Sequence, residues 1–327
     1  MKSIELPGGS QMPVIGLGTW QAKDAKLLGS AMEAAFEAGY RHFDTAFAYK
    51  NEDIVGKVIA GWIEKGLVER KDLFITTKLP MIGVHPDRVE LFLNKSLKSL
   101  RLEYVDLYLI HFPVCFKYEE GKDIVVDEKG VVQTEPTDHI AVWRKMEEMV
   151  NSGKVKHIGI SNFNRHQIAR ILDNAKIKPA NLQVEIHPYF QNNELVDFCK
   201  EKGISVVAYS PLGSPGTNIF LKQSGLPSRD LPRLLDDETI LSIAKKHSKS
   251  PAQIMLRFAL QRGLAAIPKS ITASRIKENI DVFDFELDES DMNKLKKLDK
   301  GNEGRVCALR SKGVIDHPEF PNRNELD

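Results

Sequence analysis

Cysteine is scarce in this sequence. The 327 residues contain 3 cysteines, Cys115, Cys199 and Cys307, which lie far apart along the chain. Their number is too small for a disulfide framework, and their spacing matches no metal-ligand motif. The cysteine content therefore indicates a reducing compartment and predicts no metal site.

Long apolar runs and an excess of one charge are missing as well. No apolar segment approaches the ~20 residues that a membrane span needs, and residues 1–7 contain no apolar signal core. The formal net charge is +1, and the chain has no block of like charges and no stripe of basic and aromatic residues. We therefore expect a soluble cytoplasmic protein that binds neither membranes nor nucleic acids.

A glycine fingerprint for dinucleotide binding is also missing. Gly16 and Gly18 lie near a predicted strand end, but Gln21 stands where the third glycine should be. An open doubly wound sheet, the alternative fold, would want a glycine-rich first turn between strand and helix. The two glycines indicate either a close approach of a ligand to the backbone or a tight turn.

The sequence instead contains a regular alternation of strand and helix patterns. Residues 3–15 predict a β-hairpin around Pro-Gly-Gly. The strands predicted after it lie at residues 14–17, 41–45, 73–78, 105–111, 155–160, 182–187, 204–209 and 264–267. Eight such strand-helix units predict a (β/α)8 TIM barrel. Because no linker interrupts the pattern, we expect a single domain over residues 1–327.

Long connections are predicted at the C-terminal face of this barrel. Residues 116–137 are polar, and residues 213–235 are rich in Gly, Pro and Ser. The tail, residues 301–327, is irregular in pattern. It is either a frayed end or a loop that folds back over the barrel mouth, and we expect the second.

Reactive side chains end three successive predicted strands. Asp44 lies near the end of one strand with Tyr49 five residues on, Lys78 ends the next, and His111 ends the third. A tyrosine is a poor proton donor near neutral pH because its pKa is about 10. A neighbouring cation stabilises the phenolate and improves the donor. Since barrel enzymes build their sites at the carboxyl ends of strands, the four residues predict one shared acid-base site.

Each of these residues has an ordinary explanation when it is taken alone. Asp44 could cap a helix or form a salt bridge, Tyr49 could be a packing residue, Lys78 an exposed strand end, and His111 a core histidine. Because the four residues occupy equivalent places in successive strand-helix units, one shared site is favoured over four unrelated structural roles.

With these residues identified, the chain closely resembles the aldo-keto reductases, and most strongly their aldose- and aldehyde-reductase branch. The resemblance extends from the hairpin through the tail. It is carried by GYRHFDTA (39–46), YKNE (49–52), DLYLIH (106–111), GISNF (159–163), AYSPLG (208–213) and IPKS (267–270).

The resemblance implies NADPH-dependent reduction of aldehydes and ketones. Tyr49 would be the general acid that protonates the carbonyl oxygen, and Lys78, paired with Asp44, would lower the pKa of Tyr49. His111 would orient the substrate carbonyl by a hydrogen bond. The cofactor carries the hydride, while the protein supplies positioning and electrostatics. Family habit also implies a monomer.

The resemblance also implies an NADP(H) site along the barrel mouth. The residues expected to contact the nicotinamide half and the pyrophosphate are Thr19, Trp20, Asp44, Ser161, Asn162, Gln183, Tyr209, Ser210, Leu212 and Ser214. Those expected to contact the adenosine 2′-phosphate or the adenine are Lys269, Ser270, Thr272, Arg275, Glu278 and Asn279. Taken alone, Ser161 and Asn162 are better explained as a helix cap. The cations near the last helix N-terminus suit a phosphate but could equally be surface charge.

The substrate pocket departs from the family pattern. Pro80 and Phe112 stand where close relatives often have two tryptophans. The pocket implied here is lined by Trp20, Ala48, Tyr49, Pro80, His111, Phe112 and Cys307. Cys307 could also simply be a small buried hydrophobe. Aldoses, lipid-derived aldehydes and ketosteroids such as ecdysteroids all remain possible substrates, because the three long connections set the choice.

Two other functional classes remain open at this point. The same barrel could be a non-catalytic NADP(H)-binding regulatory or structural protein, which NADPH oxidation with a reactive aldehyde would distinguish. It could also be an isomerase or aldolase acting on sugar phosphates, which would bind no nicotinamide cofactor.

Overall fold

The computed structural model describes residues 2–223, 228–231, 233–307 and 309–322. The chain begins with the predicted hairpin, formed by β1 (Ser3–Glu5) and β2 (Gln11–Pro13), with Ile4 opposite Met12. Met12 is fully buried in the main core, so the hairpin is packed onto the molecule.

Eight parallel strands follow and form one sheet in chain order. They are β3 (Leu17–Gly18), β4 (His42–Asp44), β5 (Phe74–Leu79), β6 (Val105–Ile110), β9 (Val155–Ser161), β10 (Asn181–Glu185), β11 (Ser205–Tyr209) and β12 (Ala265–Ala266). The connection after β6 contains a small antiparallel pair, β7 (Cys115–Phe116) and β8 (Thr134–Glu135).

The sheet closes on itself beside its first strand. The Gly16 N–H donates to the Ala266 carbonyl at 3.0 Å, and the Ala266 N–H donates to the Val14 carbonyl at 2.8 Å. Ile15 pairs with Ala266 as an isolated bridge, so the regular part of the first strand starts later than the predicted residue 14. Every residue of β5 and β6 is buried, as expected for parallel strands covered on both faces. The predicted (β/α)8 barrel is confirmed.

The helices surround the strands. They are α1 (Ala25–Glu37), α2 (Glu52–Glu64), α3 (Val89–Leu100), α4 (His139–Asn151), α5 (Arg165–Leu172), α6 (Asn193–Glu201), α7 (Thr217–Gln223), α8 (Glu238–His247), α9 (Pro251–Gln261), α10 (Ala273–Ile280) and α11 (Glu289–Lys296). Local sequence explains several starts. The Asp24 carboxylate accepts the Leu27 N–H at 2.8 Å, and Ser250 caps α9 with Pro251 in its first turn.

Two helices differ from the sequence prediction. The predicted loop at 213–235 contains α7, although residues 224–227 and 232 of that loop lie outside the described part. Helix α11 was not predicted, because only Asp291 and Leu295 are buried along it and it therefore lacks a strong apolar period. Among the described residues, no helix is both long and apolar enough to cross a bilayer.

The tail contacts two of the connections that follow barrel strands. Directly before the tail, the Lys300 N–H donates to the Tyr189 carbonyl after β10 at 2.9 Å. Beyond β6, the Val132 N–H donates to the Lys312 carbonyl at 3.0 Å. Residues 308 and 323–327 of the predicted tail loop lie outside the described residues. The described part is therefore held against the loops that follow β6 and β10.

Candidate active site

A buried ion pair connects the ends of β4 and β5. The Lys78 ammonium donates to the Asp44 carboxylate at 2.7 Å and to the Thr45 carbonyl at 2.9 Å, and both charged side chains are 1% exposed. The other Asp44 oxygen accepts the Gln183 amide at 2.8 Å. Thr19, also buried, donates its hydroxyl to the Asp44 carbonyl at 2.9 Å. Both carboxylate oxygens are thus satisfied, which a buried charge requires.

Tyr49 lies over this ion pair. It belongs to a single 3-10 turn after β4 (Phe47–Tyr49), and the Lys78 nitrogen lies 4.9 Å from its ring centroid. The His111 ring approaches edge-on, with its centroid 5.5 Å from that of Tyr49. The structure therefore brings the four predicted residues Asp44, Tyr49, Lys78 and His111 into one cluster.

The pKa of Tyr49 is raised in the structure, whereas the family resemblance implied that it would be lowered. Burial raises the pKa of Tyr49 well above its ordinary value, and the charges of Asp44 and Cys307 raise it further. The expectation of a lowered pKa for Tyr49 is therefore wrong for the protein alone, because desolvation is the largest cause of the shift and the Asp44 charge adds to it. Burial also lowers the pKa of Lys78. Tyr49 consequently keeps its proton at neutral pH.

His111 is a neutral imidazole in this setting. Burial, and secondarily the Lys78 charge, lowers the pKa of His111 to about 3. Its Nδ1 is buried and has no hydrogen-bond partner among the described residues. Its backbone is fixed from both sides, since its N–H donates to the Leu79 carbonyl at 3.1 Å and its carbonyl accepts the Asn162 amide at 2.9 Å.

The low pKa of His111 makes stability depend on pH. The unfolded chain protonates His111 below about pH 6.5, whereas the folded chain does so only near pH 3. Because the unfolded state binds more protons in this window, the free energy of unfolding falls as the pH drops. We therefore compare the free energy of unfolding of the wild type with that of His111→Asn. Between about pH 6.5 and about pH 3, the wild-type value should drop relative to the variant value by up to about 1.4 kcal/mol per pH unit. Urea unfolding at several pH values measures this difference, and a constant difference would contradict the prediction.

Polar groups expected near a nicotinamide also lie together. The Asn162 oxygen accepts the Tyr209 hydroxyl at 2.8 Å, and the Asn162 amide contacts Ser161 Oγ at 3.1 Å. Asn162 has a left-handed φ of 64°, which asparagine tolerates better than most residues. Ser161 and Gln183 are buried on β9 and β10. Trp20 follows β3 and is half-buried.

The segment after β11 forms tight turns. Ser210, Gly213 and Ser214 have φ values of 48°, 71° and 47°, and Leu212 is half-buried between the two apolar clusters. Sequence reasoning did not assign Gln21 to the site. Its Nε2 is buried without a partner in the described part of the chain.

Cations and an uncapped helix meet after β12. Lys269 and Arg275 are exposed and form no ion pair with any described residue. Thr272 at the α10 N-cap makes no side-chain cap bond, although its N–H donates to Ser270 Oγ at 3.1 Å. Partial desolvation lowers the pKa of Lys269, although the residue as a whole is exposed.

The two residues predicted to contact adenine differ in environment. Glu278 accepts a hydrogen bond from Ser250, the α9 N-cap, so its carboxylate already has a partner. Asn279 is 3% exposed. Glu278 is therefore less free to bind a ligand than the sequence implied.

The predicted substrate residues surround the cluster at several strand ends. Ala48 lies in the same turn as Tyr49, and Pro80 directly follows β5. Phe112 is buried and packs near Phe320 of the tail, with ring centroids 6.3 Å apart. Cys307 Sγ lies 3.3 Å from Ser210 Oγ.

A cavity adjoins this region. Its volume is about 530 Å³, and its lining includes Phe112, Asn162, Glu185, Arg305 and Cys307. Three of these residues were predicted, whereas Glu185 and Arg305 were not. A carboxylate inside the apolar strand β10 was the signal that could have identified Glu185.

Comparisons with known proteins agree with this geometry. The family model described as "Aldo/keto reductase family" matches residues 14–300. The chain is 41% identical to aldo-keto reductase family 1 member C4 of Macaca fascicularis over 98% of each chain. It is 42% identical to the prostaglandin-E(2) 9-reductase of Oryctolagus cuniculus, again over 98% of each. The solved structure of the aldose reductase from Schistosoma japonicum superposes with a TM-score of 0.89 at 39% identity, covering 99% of this chain and 100% of that one.

Proposed function

Since the chain belongs to the aldo/keto reductase family, and is thus an oxidoreductase acting on carbonyl and alcohol groups, we propose that it reduces aldehydes and ketones with NADPH. The observation that carries the proposal is the single cluster of Tyr49, Lys78, Asp44 and His111. These four groups supply a proton donor, a charge partner and a neutral hydrogen-bonding ring at one point.

Tyr49 is the proposed general acid. Because burial raises its pKa, its hydroxyl holds a proton at neutral pH. The same burial makes the phenol a weaker acid, so giving the proton to a carbonyl oxygen requires a group that stabilises the phenolate. The Lys78 ammonium beneath the ring offsets the negative charge that develops on the phenol oxygen. His111, neutral because of its low pKa, orients the carbonyl without competing as a proton donor.

Several groups support an NADP(H) site. When bound, NADPH supplies the hydride that reduces the carbonyl carbon. The Gln21 Nε2 is buried and has no hydrogen-bond partner among the described residues, so it is a donor suited to an acceptor-rich pyrophosphate. The amide oxygen of the same side chain lies beside the turn at Gly216. At the other end, Lys269 and Arg275 flank an α10 N-terminus that has no acidic residue in its first turn.

The cations at α10 predict preference for the phosphorylated cofactor. We expect Lys269→Met and Arg275→Met each to weaken NADPH binding about 10-fold, because each removes a charge-assisted contact to a phosphate at a partly exposed site. NADH affinity should change little, since NADH lacks that phosphate. Fluorescence titration of both cofactors measures the difference, with Lys277→Met on the same helix as a charge-matched control. Equal losses for NADPH and NADH would contradict the assignment.

The proposal extends to the domain organisation, the oligomeric state and the cellular location of the protein. We infer a single-domain monomer whose tail covers the barrel mouth, supported by the contact between Lys312 and the loop after β6. Its cysteines are free thiols, which supports a reducing, cytoplasmic location.

The decisive experiment is NADPH oxidation measured against a panel of carbonyl compounds. The panel should contain a reactive aromatic aldehyde, an aldose, a lipid aldehyde, a ketosteroid and a prostaglandin ketone. Turnover of any of them supports the proposal, and their order identifies the substrate class. NADPH binding without turnover of any of them would favour a non-catalytic cofactor-binding protein.

A further inference from the structure

Glu185, the last residue of β10, has a buried carboxylate that the proposed chemistry does not use. The residue is 1% exposed. One carboxylate oxygen accepts the Val306 N–H at 2.6 Å, and the other accepts the Cys307 N–H at 2.8 Å. His187 contacts the first oxygen at 3.0 Å. Glu185 therefore connects a barrel strand directly to the backbone of the tail.

The tail segment held by Glu185 is joined to the loop after β11 as well. The Arg229 guanidinium donates to the Val306 carbonyl at 2.8 Å, and the Cys307 thiol lies against Ser210. Arg229 is itself fixed, because its backbone exchanges two hydrogen bonds with the Asn218 amide. Val306 and Cys307 are thus the point where the barrel, the tail and this loop meet.

The tail at Val306 and Cys307 is not closely packed on every side. The cavity of about 530 Å³ lies against Glu185, Arg305 and Cys307. Side chains next to a space of this size lose contacts that would otherwise restrain them. The hydrogen bonds from Val306 and Cys307 to Glu185 restrain this place together with the Arg229 bond to the Val306 carbonyl. A second restraint lies at Gly304, where an added Cβ would stand 1.9 Å from the Tyr189 carbonyl oxygen.

We propose that Glu185 is a positioning residue that fixes Cys307 as one wall of the substrate pocket and thereby sets substrate preference. This inference rests on the proposed carbonyl reductase function. The carboxylate offers one oxygen to each of the two adjacent N–H groups, whereas a glutamine amide would turn its NH2, a second donor, towards one of them. Without the second bond the Cys307 wall moves, and small carbonyl substrates lose a contact surface.

The test is Glu185→Gln, read by two independent measurements. We expect the KM for a small aromatic aldehyde to rise roughly 10-fold, the scale of one lost charge-assisted hydrogen bond. The kcat and the NADPH affinity should stay within about 2-fold, because Tyr49, Lys78 and the cofactor cations are untouched. The rate of Cys307 alkylation by iodoacetamide, followed by mass spectrometry, should rise about 10-fold. The buried Cys115 and Cys199 serve as internal controls for general loosening.

Matched variants separate positioning from damage to the fold. Glu194→Gln changes an exposed carboxylate that lines the same cavity and should leave both readouts unchanged. Gly304→Ala displaces the tail through a different contact and should reproduce the rise in KM and in alkylation. Gly61→Ala, which has open space for its methyl group, is the control for that change.

Each outcome decides the proposal. Faster Cys307 alkylation in both Glu185→Gln and Gly304→Ala supports the positioning role of Glu185. This result would stand even if the wild-type protein reduced none of the tested carbonyl compounds, and that failure would count only against the proposed function. Unchanged alkylation and unchanged KM in Glu185→Gln would overturn the positioning role. An equal rise of alkylation at Cys115 and Cys199 would also overturn it, because it would mean general unfolding.

Discussion

Replacing Tyr49 with phenylalanine is expected to lower kcat for carbonyl reduction by about 10²–10⁴-fold, the usual contribution of a positioned general acid. The substitution keeps the ring that packs edge-on against His111 and over Lys78. It removes only the hydroxyl. Because burial raises the pKa of Tyr49, that hydroxyl carries its proton throughout the neutral range. The lost rate therefore reports proton donation rather than packing.

The measurement is steady-state NADPH oxidation together with NADPH fluorescence titration. NADPH affinity should be unchanged, since the proposed cofactor contacts lie elsewhere. Tyr108→Phe is the matched control. It removes a buried hydroxyl on β6 that has no hydrogen-bond partner in the described residues, so activity should persist. Retained activity in Tyr49→Phe would assign the acid to another group.

The clustering of Asp44, Lys78 and His111 could be predicted because parallel strands all end on one side of a barrel. Asp44, Lys78 and His111 are each recognisable as polar residues that end apolar runs, and the order of such runs along the chain is the order around the sheet. Helix starts such as Asp24 were also predictable, because a cap depends on a few neighbouring residues.

Properties that depend on distant residues could not be predicted in the same way. The raised pKa of Tyr49 results from a balance between burial and the charges around it, which no local pattern contains. The bonds from Glu185 to Val306 and Cys307 join residues more than 100 positions apart, separations of 121 and 122. The sequence does not reveal the hydrogen bond between Ser250 and Glu278, which are 28 positions apart. Glu278 was therefore assigned to a ligand although its carboxylate already has a partner.

The second large effect is expected from Lys78→Met, which should reduce both activity and stability. The variant leaves the Asp44 carboxylate buried with the Gln183 amide but without a cation. Removing one partner of a buried ion pair costs about 3–5 kcal/mol of unfolding free energy. The unpaired Asp44 charge also disfavours negative charge on Tyr49, since it already raises the pKa of that residue. We expect kcat to fall by about 10²–10³-fold, the scale of losing one preorganised electrostatic group.

A second substitution can separate these two losses. In Lys78→Met combined with Asp44→Asn neither member of this buried pair carries a charge, so most of the lost stability should return. Activity should not return, because no cation lies beneath Tyr49 to offset charge on its oxygen. Urea unfolding measures the stability, and NADPH oxidation measures the activity. The control is Lys145→Met, which removes the cation of an exposed pair with Glu148 and should change neither quantity much. If the double variant regained activity along with stability, Lys78 would act only by neutralising Asp44. If it regained neither, the ion pair would be needed for the barrel itself, and its proximity to Tyr49 would carry no catalytic meaning.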